Sequence, residues 1–144
     1  MKKIALALAA LTLSVSAAAS DWRQISESQD GSKLLMDLQS LQFQPDNGIN
    51  FTGALFQFAP GNGIFAYVIE SDACAKGQGR LQYRERENGE WVTKQTYWFN
   101  VEGSRMYDIA SFFLCKATEG FRKGQEERRR DDAKKQKAAA KGSA

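Results

Sequence analysis

The sequence predicts an α+β domain: a mainly antiparallel sheet of about five to six strands with one C-terminal amphipathic helix packed on it. Three observations carry this. Short β-branched and aromatic runs alternate with Gly-, Pro- and Asn-containing turns from Trp22 to Phe99. The pair Asn88-Gly89 joins two alternating runs, and both positions of such a turn need positive φ, so a tight hairpin is expected. Met106, Ile109, Ala110, Phe113 and Leu114 recur at helical spacing and follow the strands instead of interleaving with them. No internal repeat is visible.

The chain opens with Met1-Lys2-Lys3, an apolar run from Ile4 to Val15 and small residues from Ser16 to Ser20. This is the pattern of a secretory signal peptide over residues 1–19, with Ala17-x-Ala19 at the cleavage pocket. The run is shorter than the roughly 20 residues a bilayer span needs. The mature chain is expected to begin at Ser20 or Asp21 and to be exported, periplasmic or secreted. No transmembrane segment is expected, and no Cys lies near the cleavage point for a lipid anchor. About 124 residues remain, enough for one core.

In order, Trp22 to Ile25 reads as a first strand, and Gln29-Asp30-Gly31-Ser32 as a turn. Ser32 to Met36 is a second strand. Asp37-Leu38-Gln39-Ser40 reads as a tight helical turn capped by Asp37 through its backbone N–H bonds. Pro45-Asp46-Asn47-Gly48 is a turn, and Ile49 to Phe58 a strand with aromatics on both faces. Pro60-Gly61-Asn62-Gly63 turns into the strand Ile64 to Glu70. Ala75 to Gly79 is a flexible connection to the hairpin strands Arg80–Glu87 and Glu90–Phe99. A two-residue loop sets Arg86 opposite Trp91, Arg84 opposite Thr93 and Arg80 opposite Tyr97. Ser104 is placed to cap the helix and Cys115 to end it. The aromatics Trp22, Phe51, Phe56, Phe58, Phe65, Tyr67 and Trp98 are expected in the core.

Cys74 and Cys115 are the two cysteines. In an oxidising compartment they are expected to pair, closing a loop for ~4 kcal/mol of stabilisation in the chain-entropy model. On an ideal helix Cys115 points away from the apolar stripe. Either the last turn is distorted or the bridge crosses at the helix end.

Charge divides the chain. Residues 20–121 carry a balance of −4 and residues 122–144 a balance of +5. After Phe121 the only apolar side chains are alanines. Residues 119–144 therefore read as a charged tail, disordered or a solvated single helix, beyond a domain spanning 20–118.

The sequence contains no histidine. That removes Ser-His and Cys-His nucleophile systems and most zinc sites. No spaced carboxylate motif stands out, so an enzyme is not expected, nor a cofactor or metal. Gly61-Asn62-Gly63 lacks the Lys and the strand-to-helix context of a phosphate loop. Asn50-Phe51-Thr52 matches a glycosylation sequon inside a strand and reads as chance.

The hairpin residues Arg80, Arg84, Arg86, Trp91 and Tyr97 form the candidate binding face. Guanidinium groups bond carboxylate, sulfate or phosphate in pairs and stack on indole rings. The tail cations Arg128-Arg129-Arg130, Lys134, Lys135 and Lys137 could meet anionic surfaces. Glu126, Glu127, Asp131 and Asp132 dilute their field, so no nucleic-acid partner is expected.

Several short elements together resemble the surface-adhesin protein E family of Gram-negative bacteria over residues 22 to 116. They are Trp22 at the start of the domain, Leu35-Met36-Asp37-Leu38-Gln39-Ser40-Leu41, and Cys74 after a hydrophobic strand. Tyr97-Trp98-Phe99 leading to Gly103-Ser104, and the helix from Ala110 to Cys115, complete the pattern. The resemblance implies a small exported protein of mixed sheet and helix. It also implies a non-enzymatic role in binding a macromolecule, a host glycoprotein or an envelope glycan, with cell-surface association. This chain departs from the lipid-anchored adhesin in lacking the anchor Cys. The alternative is a periplasmic structural or assembly protein whose basic tail touches anionic surfaces.

Overall fold

The computed structural model describes residues 20–61 and 63–143. The expected signal segment and Asn62 lie outside the described residues. The elements run β1 (Trp22–Glu27), β2 (Lys33–Asp46), β3 (Ile49–Ala59), β4 (Ile64–Glu70), α1 (Ala73–Lys76), β5 (Gln78–Glu87), β6 (Glu90–Asn100) and α2 (Met106–Gly142). The six strands form one antiparallel sheet in the order β1-β2-β3-β4-β5-β6. Each strand pairs with its sequence neighbour because each connection is short. The turns at Asn47-Gly48 and Asn88-Gly89 both have positive φ at both residues, as tight hairpins require.

The helical turn expected at Asp37–Ser40 is not formed. Those residues belong to β2, where the register jumps from Asp37↔Leu55 to Gln42↔Gly53. The cause is side-chain bonding to the segments on either side of β2. Asp37 is buried and its Oδ1 accepts from Asp21 N (2.9 Å) and Gln39 N (3.0 Å). Ser40 Oγ donates to Asp37 O and accepts from Leu55 N, both at 2.7 Å. Asp37 thus accepts backbone N–H bonds as expected, but it pins a wide bulge instead of a helix. The connection Ala75–Gly79 also differs. Its first residues belong to α1, closed by Gly77 at φ 67, and β5 begins at Gln78.

Pleating sorts the strands onto two faces. Leu34, Met36, Ala54, Phe56, Phe65, Tyr67, Ile69, Leu81 and Phe99 lie on the inner face, and Ala110 and Leu114 of α2 close the core over them. Of the aromatics expected inside, Phe56, Phe65 and Tyr67 are buried, while Trp22 and Phe51 are half-buried. Phe58 and Trp98 are exposed, Trp98 at 58 %.

Helix α2 begins after Arg105, not Ser104. Asp108, at the third helical position, accepts from Arg105 N (3.2 Å) and Asn100 N (2.8 Å) and binds the Arg105 guanidinium. Its buried carboxylate supplies the cap that Ser104 does not. A Cβ at Gly103 would lie 2.3 Å from Asp108 Oδ2, so only glycine lets the carboxylate reach the chain.

The packed face of α2 is Ala110, Ser111, Leu114 and Thr118, rotated from the apolar stripe. Met106, Ile109 and Phe113 are half-buried at its edge. Polar residues inside this face account for the shift. Thr118 Oγ1 bonds Thr52 Oγ1 (2.7 Å) and donates to Leu114 O (2.9 Å), and Thr52 also meets Ser71 Oγ (2.8 Å). Cys115 lies beside Ser111 and Thr118 and reaches Cys74, with a Cα–Cα distance of 5.2 Å. The bridge therefore needs neither a distorted turn nor a helix end.

The helix does not stop at Cys115. It runs on for 37 residues in all, so the tail expected as disordered or a solvated helix takes the second form. Phe121 stacks on Phe43, with ring centroids 4.1 Å apart, as the last large contact. From Gln125 onward every described residue is exposed. Ala, Glu, Lys, Arg and Gln are strong helix formers, and no proline interrupts them. No helix among the described residues is long and apolar enough to cross a membrane.

Candidate binding face

The chemistry of β5 is sorted by its alternation. Arg80, Gln82, Arg84 and Arg86 share the outer face, away from α2, while Leu81, Tyr83 and Glu85 turn inward. The strand therefore separates its own charges, arginines on one side and Glu85 on the other.

On β6 the expected pairs Arg86↔Trp91 and Arg84↔Thr93 are present, but Arg80 lies opposite Trp98, not Tyr97. The register shifts at Tyr83/Arg84, where Lys94 is left without a partner in the ladder. That extra residue reverses the parity of everything after it. Tyr97 goes to the inner face, half-buried, stacked on Tyr107 at 4.6 Å. Trp98 takes its place outside. Lys94 itself pairs with Glu87 at the hairpin end.

The outer face thus gathers Arg80, Arg84, Arg86, Trp91 and Trp98. Tyr97 is not part of it. Among the described residues, none of these three arginines has a carboxylate within 4 Å, whereas Arg23, Arg105 and Arg122 each hold one. Arg84 folds its Nε (3.0 Å) and Nη2 (2.5 Å) onto Gln82 Oε1. Arg86 Nε reaches Gly89 O at 3.3 Å. Among the described residues, cations lie over the rings of Tyr107 (Arg105) and Phe112 (Lys116), and none over the two outer indoles. Trp91 is 38 % exposed.

Three depressions border the arginines, one of them of about 410 Å³ where Arg86 meets Ile64, Tyr83 and Glu85 at the sheet end. Arg80 and Trp98 line a second of about 400 Å³ with Glu70, Asp72 and Lys76. Asp72 is engaged by Arg122 at 2.6 Å, which leaves Glu70 as the unpaired acid there. Arg84 borders a third of about 140 Å³ with Gln42, Gln44, Val68 and the acid Asp46, which lies beyond 4 Å of the guanidinium. This face offers planar cationic donors and flat aromatic platforms, a set that recognises anionic groups carried on rings.

On the inner face Tyr83 donates to Glu85. Burial, reinforced by Glu85, pushes its phenol up to about 12. Burial also raises the Tyr67 phenol above its ordinary value. Neither is a base near neutral pH. Among the described residues no three His, Cys, Asp or Glu side chains converge as a metal site.

Cys74 and Cys115 are bridged, as the sequence indicated. Trp98, expected in the core, instead belongs to this outer face, and the Thr52–Ser71–Thr118 cluster carries no signal in the sequence. Trp91 and Trp98 are separated by an odd number of positions, so simple alternation sets them on opposite faces. Only the bulge unites them, and nothing in the sequence of β6 marks Lys94 as its site.

These features define an α+β domain with a cationic, aromatic sheet face. The chain matches no protein-family profile, no curated protein and no solved structure.

Proposed function

We propose that the protein is an exported, non-enzymatic binding protein that engages an anionic macromolecule through the outer face of β5 and β6. The observation that carries this is the row Arg80, Arg84 and Arg86, without carboxylate partners among the described residues and bordered by exposed Trp91 and Trp98. A guanidinium that no carboxylate of the chain engages keeps its paired donors free for a carboxylate, sulfate or phosphate of a partner. The sequence resemblance to surface-adhesin E supports the same class, with an acidic host glycoprotein or envelope glycan as partner. Export is supported by the leader pattern and the Cys74–Cys115 bridge, which suits an oxidising compartment. A non-enzymatic role is supported by the absence of histidine from the sequence.

The test uses immobilised heparin as a sulfated glycan. Arg84→Ala/Arg86→Ala should weaken retention about tenfold or more, since a hydrogen bond to a charged group contributes ~1.5–3 kcal/mol. The melting temperature should not move. Both proteins carry Lys134→Ala/Lys137→Ala/Lys141→Ala, so that the cations of α2 do not hold the column; unchanged retention, or loss of retention only through unfolding, would then reject the site. Protease shaving of intact and lysed cells then separates surface display from periplasmic residence.

A further inference from the structure

We propose that α2 carries, on the side turned away from the sheet, a stripe of cations that docks flat on an anionic phospholipid surface. This inference is independent of the outer sheet face. Lys123, Arg130, Lys134, Lys137 and Lys141 are all exposed on α2. At 3.6 residues per turn they fall within an arc of about 60° and extend over ~27 Å. The residues by which α2 packs on the sheet, from Ala110 to Phe121, centre roughly 160° away around the same helix. The body of the domain therefore lies behind the stripe. Lys123 is held by Glu119 at 2.9 Å and Arg130 by Glu126 at 3.9 Å. Lys134, Lys137 and Lys141 have no carboxylate within 4 Å among the described residues.

The distribution of acids selects the occupant. Glu119 lies inside the arc at its N-terminal end, offset by Lys116 (3.8 Å) and Lys123 (2.9 Å); Glu126 and Glu127 border the stripe, and Asp131 and Asp132 lie further round the helix. A nucleic-acid groove wraps a helix and would press these carboxylates against phosphates. A plane touches only the stripe. No apolar side chain larger than alanine follows Phe121, so the helix rests on headgroups and does not insert. Phe112, 39 % exposed, shares the angular position of the stripe at its N-terminal end and supplies one aromatic contact.

The experiment is co-sedimentation of the mature chain with vesicles of phosphatidylglycerol and phosphatidylcholine, at low salt, against pure phosphatidylcholine. Binding is expected only to the anionic vesicles. Lys134→Ala/Lys137→Ala/Lys141→Ala should weaken it by about a factor of five per cation, on the order of a hundredfold together. Arg128→Ala/Arg129→Ala/Lys135→Ala removes the same charge from outside the stripe. It should change binding only a few-fold, because that side sits about one screening length (~10 Å) from the surface. Circular dichroism checks that both variants keep their helix. Equal loss in the two variants would overturn the stripe. So would absence of binding at low salt. Tighter binding to duplex DNA than to the anionic vesicles would overturn the choice of a lipid surface.

Discussion

Replacing both Cys74 and Cys115 with alanine should cost about 4 kcal/mol of stability. The bridge spans a sequence separation of 41. A loop of that size removes roughly 13 cal/mol/K of entropy from the unfolded chain, which is ~4 kcal/mol at room temperature. For a domain of this size the melting temperature should fall by about 10–20 °C. The assay is urea unfolding of the oxidised protein and the double variant, with equal slopes required for the comparison. The loss should also be local. Helix α1 has four residues and buries none of them. Besides the bridge, it is held by the bonds Cys74 N to Ser71 O, Ala75 N to Asp72 O, Gly77 N to Cys74 O and Val101 N to Gly77 O, and by half-buried Ala73 against the core. Amides from Ser71 to Gly77 should therefore lose hydrogen-exchange protection beyond the global change. A stability loss below about 1 kcal/mol, with α1 still protected, would refute the reasoning: the unfolded chain would not be restrained by this bridge.

Three further outcomes follow from the packing. Asp108→Asn should flatten the acid side of the stability curve. Burial opposes the Asp108 charge, but the Arg105 side chain and the N–H groups of Asn100 and Arg105 outweigh it and hold the pKa below the ordinary carboxylate value. Its stabilisation is thus complete above the unfolded value near 3.9 and lost as pH falls through the lower folded one; urea midpoints from about pH 2 to pH 7 read the difference. Gly79→Ala would set a Cβ 2.5 Å from that of Ala73 and should cost ~1–3 kcal/mol. Adding Ala73→Gly should recover part of it in thermal melts. Thr118→Val takes from the buried Thr52 hydroxyl one of its two side-chain partners and should cost ~1–3 kcal/mol, with Thr118→Ser restoring most of it. A valine variant as stable as the parent would show that the hydroxyl cluster adds nothing net.

The sequence was most legible where a short rule acts alone. Asn88-Gly89 fixed the hairpin tip, and the limits of β4 could be read from Ile64 and Glu70. Legibility failed where side chains from distant segments decide the backbone. Asp37 looks like a cap from its neighbours. Its role in a bulge depends on Asp21 N, brought alongside by β1, and on Ser40 reaching Leu55 of β3. The packed face of α2 departs from the apolar stripe for a related reason. Ser111 and Thr118 are polar and fall outside any apolar stripe, yet Thr118 is buried because Thr52 of β3, itself bonded to Ser71, meets it from the sheet. The binding face was half legible. Its arginines follow from simple alternation, but its second tryptophan depends on a single unpaired residue in β6.

The bridge between Cys74 and Cys115 encloses the whole β5–β6 hairpin in one covalent ring. A protease that cuts this ring once, for example at the exposed Asn88-Gly89 tip, opens the chain without releasing a fragment. The two pieces stay joined through sulfur, with Arg80, Arg84 and Arg86 on one and Trp91 and Trp98 on the other. A nicked molecule would retain its full mass on a non-reducing gel and separate into two bands only after reduction. The two halves of the binding face are thus tethered for re-pairing by a link that hydrolysis of the hairpin cannot remove.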